Sequence, residues 1–266
     1  MASSLIIGQY VPEESVVHKL DPRTKIVMIF AFVIFVFFAN NGWSYLWLTA
    51  FSIGAALSTK IKLRYIARGL KPVWFLIVFT FLLHLFVTRE GDVLFDIIGF
   101  PIYTGALIQG VQISMRFFLL ILVTSMLTLT TTPIEITDAI ETLLHPLKKV
   151  KFPVHELALM MSISLRFIPT LMQETEKISK AQASRGVDFR TGPLKERIQA
   201  VVPLLVPLFV SAFKRAEELA MAMEARGYKG GEGRSKLREL EVRARDYLAV
   251  VVFILMIVGL FLLRDM

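Results

Sequence analysis

Long apolar runs alternate with short charged ones along this chain, and the lengths of the runs set the first expectations. From Ile26 to Thr59 no residue carries a charge, and Asn40, Asn41 and Gly42 divide that run into two segments able to cross a bilayer as a tight hairpin. Asp21 followed by Pro22 predicts a helix start there, an N-cap with proline at the first helical position. "PVWFLIVFTFLLHLFVT" at 72–88 predicts a third span, and a fourth runs from about Thr104 to Leu129, closed by "TTTP" at 130–133. A fifth is "YLAVVVFILMIVGLFLL" at 247–263.

Between the fourth and fifth spans the pattern changes. Pro133 opens a short helix through Leu144, and Pro146 and Pro153 bracket a basic linker, "LKKVKF". A long helix is predicted from Val154 to Arg185, bent at Pro169. Leu157, Met161, Ser164, Ile168, Leu171, Thr175, Ile178 and Gln182 form its stripe, apolar first and polar toward the end. A second long helix follows "TGP" at 191–193 and ends at Arg226, with Pro203 and Pro207 on one face and 16 uncharged residues from 198 to 213. That stretch is marginal as a span, so it is read as a helix at the inner membrane face, turning apolar side chains toward a partner or lipid.

Charge orients these elements. Lys60, Lys62, Arg64, Arg68 and Lys71 lie between spans two and three without an acid, which places that loop in the cytoplasm; Glu90, Asp92 and Asp96 after span three suit the outer face. The N terminus is then cytoplasmic and retained, since the first 24 residues lack the apolar core and cleavage site of a signal peptide. Residues 131–246 hold 19 of the 30 Lys and Arg and 15 of the 22 Asp and Glu. The expected organisation is a membrane domain over 1–130, a cytoplasmic coupling domain over 131–246 and a last transmembrane helix over 247–266: an all-α, polytopic membrane protein with about five spans.

Composition narrows the chemistry. Hydrophobic residues make up 55% of the chain, which is a membrane composition. The net charge of +8 sits beside apolar spans and calls for no nucleic acid. With no cysteine and four scattered histidines, His18, His84, His145 and His155, no disulfide or metal site is expected. No GxxxxGK[ST] phosphate loop is present, so ATP would be hydrolysed by another subunit.

The candidate site is a repeated step. Ser184, Arg185 and Gly186 recur 41 residues later as Ala225, Arg226 and Gly227. One reading is a pair of ordinary helix stops, because Gly suits the position after a helix and Arg its last turn. The other is two similar docking tips: a small residue for close approach, Gly to end the helix, and Arg to pair bidentately with a carboxylate.

"HKLDPRTK" at 18–25, "TTTP", "LRFIP" at 165–169, "AQASRG" at 181–186 and "AMAMEARGY" at 220–228 together resemble the transmembrane T component (EcfT) family of energy-coupling factor (ECF) transporters, over nearly the whole chain. The family's step is Ala-Arg-Gly, matched fully at 225–227 and with Ser for Ala at 184–186. The resemblance implies long crossed helices in the coupling domain. It implies two ATP-binding-cassette ATPase subunits, which bind ATP and magnesium and each receive one Arg-Gly tip. It also implies a small membrane S component that binds a vitamin or metal ion, and a location in a bacterial cytoplasmic membrane. The T component itself is then non-catalytic and binds no cofactor. Which substrate is carried, and by how many S components, is not written in this chain.

Two alternatives stand beside this reading. A conventional ABC importer permease carries one Glu-Ala-Ala coupling loop, whereas this chain has "EELAMAMEARG" and two tips. An intramembrane enzyme would need an acid, nucleophile or metal cluster at membrane depth, and the five spans contain no Asp, Glu or Cys. Arg116, alone in the fourth span, is read as structural, bonding carbonyls or polar side chains of a neighbouring helix. Arg166, near Pro169, is read as satisfying backbone groups released by the bend.

Overall fold

The computed structural model describes residues 10–97, 100–186, 194–230 and 240–264. The chain forms two compact units, Met1–Leu143 with Glu239–Met266, and Leu144–Arg238.

In the first unit, α1 (Pro22–Phe35) continues as a 3₁₀ turn over Val36–Phe38. Asp21 caps it by accepting the Arg23 backbone N–H, with Pro22 at the position whose N–H needs no partner. Asn41 ends the hairpin turn and starts α2 (Gly42–Ser58). Its Oδ1 accepts the Ser44 N–H while the Ser44 hydroxyl returns to the Asn41 backbone, a capping box built without Glu or Gln. The Asn41 amide also donates to the carbonyl of Leu263 at 2.7 Å, so it closes the far end of the last helix as well.

α3 (Leu63–Val87) begins within the basic stretch 60–71 that the charge pattern marks as a loop. Lys and Arg are good helix formers, and the turn needs only the residues around Lys60, whose φ is 57°. The helix is bent by 54° between Arg64–Lys71 and Val73–Val87, where Pro72 withholds a backbone donor. The acidic connection beyond it holds an antiparallel pair, β1 (Val93–Ile97) and β2 (Phe100–Tyr103), with Ile97 opposite Phe100 and Asp96 opposite Pro101. Aromatic and β-branched residues on both sides favour that pairing. Then come α4 (Thr104–Thr130) and α5 (Pro133–Leu144), whose first turn is boxed by Thr132 and Glu135 through reciprocal 3.3 and 3.0 Å bonds. The unit closes with α8 (Ala244–Arg264).

By length and composition, α4, α8 and α6 (Val154–Ser184) can each cross a membrane, and bent α3 makes a fourth if its parts act as one. Helices α1 and α2, at 14 and 17 residues, are short for a core of about 30 Å. The 3₁₀ turn lengthens the first of them. The apolar surface faces outward, as lipid requires: Trp74 is 67% and Phe75 76% exposed.

The core of this unit joins α1, α2, α4 and α8 through Phe32, Val36, Leu48, Leu119, Met256 and Leu260. Trp47 of α2 fixes its spacing from α8. Its indole N–H donates to the Met256 carbonyl at 3.1 Å, and a Cβ on Gly259 would meet the ring at 2.8 Å. Ahead of α1, the His18 Nε2–H donates to the Val11 carbonyl at 3.0 Å, and Nδ1 lies 2.7 Å from the Ser15 hydroxyl. Burial lowers the pKa of the ring from the ordinary value, which favours its neutral form. Val11 is tied in turn to α4 through its N–H to the Leu129 carbonyl.

The second unit contains a 3₁₀ turn over His145–Val150, helix α6 and α7 (Leu194–Ala225). The "TGP" expected to precede the second long helix, at 191–193, lies outside the described residues. Along α6 the predicted stripe is rotated in its first half: Met161 and Ser164 are exposed, and Ile163 and Phe167 face α7 instead, about 100° round the helix. On α7, Val202, Val206, Phe209, Val210 and Phe213 are exposed, so one apolar face of the helix is uncovered.

Two outcomes are expected. Gly259→Ala forces Trp47 from its place and lowers stability by about 1–3 kcal/mol, measured by thermal unfolding in detergent. A folded-state His pKa below the unfolded value gives stability that is present above the ordinary His pKa and is lost as pH falls through the folded one. Protection of the Val11 amide, corrected for intrinsic exchange, should therefore fall as pH drops below the ordinary His value; unchanged protection contradicts this.

Candidate functional site

The two Arg-Gly steps are two helix ends of one design. At the end of α6, Arg185 is the C-cap, and Gly186 takes φ +87° with its N–H on the Ala183 carbonyl at 3.0 Å. At the end of α7, Gly227 takes φ +73°, its N–H bonds the Glu224 carbonyl at 2.8 Å, and the Tyr228 N–H bonds Met223 at 3.0 Å. At α7 this is the Schellman closure, which uses up the last carbonyls and calls for Gly at its left-handed position; at α6 the described residues include the first of its two bonds and the same left-handed glycine. Among the described residues nothing lies within 4 Å of a Cβ built on either glycine, and the positive φ is what calls for glycine at both.

Ser184 and Ala225 precede the arginines. The Ser184 hydroxyl donates back to the Lys180 carbonyl at 3.1 Å, so it spends its polarity on its own helix and presents little more than the bulk of an alanine. That is a physical reason for Ser and Ala to stand at equivalent positions. Arg185 and Arg226 are both exposed, and neither side chain makes a hydrogen bond or ion pair among the described residues.

Contacts between α6 and α7 set where the tips lie. Gln182 near the end of α6 donates to the Pro203 carbonyl near the start of α7 at 3.4 Å. In the middle, Glu174 accepts from the Ser211 hydroxyl at 2.7 Å and from Arg215 at 3.0 Å. At the other end Tyr228 Oη meets His155 Nε2 at 3.5 Å. The helices therefore run antiparallel, with the two arginine tips at opposite ends of the pair, roughly 40 Å apart at the helical rise per residue. Between them an apolar groove of about 310 Å³ is lined by Ile163, Phe167 and Leu171 of α6 and by Ala212, Ala216 and Leu219 of α7.

Arg116 of α4 donates to the Tyr45 hydroxyl at 2.9 Å and the Ala39 carbonyl at 3.4 Å, with its guanidinium 5.0 Å from the centre of the Phe37 ring. Its buried Nε has no partner among the described residues. Arg166 is exposed and makes no hydrogen bond among them, while Pro169 lies inside α6 as the spacing predicts.

Two groups of polar residues escape sequence reasoning. Glu174, Ser211 and Arg215 brace the helix pair from positions that periodicity marks as neither apolar nor special. Asp21, Lys25 and Asp246, all buried, join half-buried Arg23 in a network that the Asp21-Pro22 cap and the 18–25 motif do not by themselves reveal, because its partners Thr130, Leu240 and Asp246 lie far off in sequence.

A family profile described as cobalt transport protein (CbiQ) matches residues 13–237. Over 264 residues the chain is 61% identical to the energy-coupling factor transporter transmembrane protein EcfT of Bacillus subtilis (strain 168), covering 99% of this chain and all of the relative. Proteins of the same description from Exiguobacterium sibiricum and Lactococcus lactis subsp. cremoris are 52% and 47% identical, each over 97% of both chains.

The tips carry a local expectation. Gly186→Ala and Gly227→Ala each destabilise their helix end by about 1 kcal/mol, read as faster amide exchange in the last turn, because Ala must adopt positive φ. Ser184→Ala leaves exchange there unchanged.

Proposed function

The chain belongs to the family of energy-coupling factor transporter transmembrane proteins, and from that premise we propose how it performs as the coupling subunit. Each Arg-Gly tip docks one of two ATP-binding-cassette ATPase subunits: Ser184, Arg185 and Gly186 hold one, Ala225, Arg226 and Gly227 the other. ATP and magnesium bind in those partners, which carry out the hydrolysis. The T component passes their movement to a small S component that carries a vitamin or metal ion inward across a bacterial cytoplasmic membrane. Loop charge puts the N terminus and the helix pair on the cytoplasmic side.

One observation carries this reading. Two tips of the same construction, each with an exposed arginine, stand at opposite ends of one braced helix pair, which is the arrangement that two similar partners need. An ordinary helix stop accounts for each end taken singly, glycine and arginine alike, and it is the matching of the two ends on one pair that favours two similar partners. Arg can form a two-pronged bond to a partner's carboxylate, and in a desolvated interface such a pair holds far more strongly than at a rim. The conventional permease reading supplies one docking loop and leaves the second tip unexplained. The intramembrane enzyme reading finds no acid in the five spans read from the sequence.

Co-purification of the tagged chain from solubilised membranes tests it. Wild type should bring down ATPase chains and a small membrane protein. Arg185→Glu and Arg226→Glu should each weaken the ATPase interaction by roughly 2 kcal/mol or more, and the double variant should come down without ATPase. Full recovery of ATPase with both variants would return the steps to helix stops.

A further inference from the structure

The motif "HKLDPRTK" has so far explained only the start of a helix. In the fold it does something further. The chain passes between its two units at 143–144 and again at 238–239. The segment that leads out begins at the end of α4, through Thr131 to α5; the segment that returns is 240–243, leading into α8, whose first turn holds Asp246. The five residues from Asp21 to Lys25 grip both.

On the outgoing side, the Lys25 ammonium donates to the Thr130 carbonyl at 3.1 Å, the Thr131 hydroxyl at 3.2 Å and the His18 carbonyl at 3.3 Å. On the returning side, the Arg23 guanidinium donates to the Leu240 carbonyl at 2.6 Å while paired with Asp21 at 2.9 Å. Asp246 accepts the Asp21 N–H at 2.7 Å and the Arg243 N–H at 2.8 Å. Asp21, Lys25, Thr130, Thr131 and Asp246 are each no more than 5% exposed. Charges this deeply buried hold their partners firmly, since releasing one leaves its desolvated partner unpaired.

We propose that Asp21–Lys25 is an anchor that fixes both chain connections of the coupling unit to the membrane helices, with Arg23, Lys25 and Asp246 as positioning residues for energy transfer. If both connections are held by one short segment, movement delivered to the coupling unit arrives at the membrane helices as displacement of a common base. If either is loose, the connection yields instead and hydrolysis continues without transport. The inference rests on the coupling role proposed above.

The test uses the full complex of T component, ATPases and S component reconstituted in liposomes, comparing wild type with Lys25→Met, Asp246→Asn, Thr131→Val and Thr131→Ser. The readout is substrate accumulated per ATP hydrolysed, which does not depend on how much complex is recovered. In Lys25→Met and Asp246→Asn the ratio should fall by about tenfold, as expected for loss of a charge-assisted hydrogen bond, while hydrolysis continues. Thr131→Val removes a single hydroxyl and should lower the ratio less, and Thr131→Ser should restore it. A ratio equal to wild type in the variants that assemble overturns the anchor, Thr131→Val serving if the charged-residue variants do not assemble. A wild-type complex that gathers no ATPase or shows no ATP-driven transport overturns the coupling role instead.

Discussion

Away from water, a charge or a backbone polar group has to find its partner within the chain, and much of this structure follows from that constraint. In the membrane unit Asn41 serves two helix ends at once, and Arg116 lies among a tyrosine hydroxyl, a carbonyl and a phenylalanine ring. Lys25 spreads its charge over three oxygens. The charged groups at the base of the spans are thus each bonded within the chain, Asp21 to Arg23, Lys25 to neutral oxygens and Asp246 to backbone N–H groups.

Outside that constraint the chain behaves differently. The ends of α6 and α7 close their last turns without drawing on Arg185 or Arg226 among the described residues, and both arginines are exposed. Glu174 keeps the helices in antiparallel register, and the register alone sends the two tips to opposite ends. A chain with internally bonded charges in its membrane unit and outward-facing charges on its helix tips is suited to carrying force between a soluble pair and a membrane partner.

Much of this is legible in the sequence where local rules suffice. Asp21-Pro22, Pro133 and the paired glycines each act through backbone geometry, and the helices begin or end where those residues say, while α6 runs on through Pro169. The basic stretch 60–71 misleads because positive charge reports which side of the membrane a segment faces, and not whether it is coiled. The stripe on α6 is rotated because 4-3 spacing admits neighbouring faces, and only contact with α7 chooses between them. The brace and the anchor stay hidden for a further reason: Lys25 and Thr131, or Glu174 and Arg215, are brought together by packing over distances in sequence that no local pattern spans.

The central claim is that one chain holds two ATPases, one at each tip. Because the chain contains no cysteine, single cysteines can be placed at Ser184 and Ala225 and joined to the assembled ATPase chains with a short thiol-directed cross-linker. Each single substitution should yield an adduct with one ATPase, and the double substitution an adduct of one T component with two. Binary adducts alone from the doubly substituted chain, with both cysteines reactive, would contradict the account.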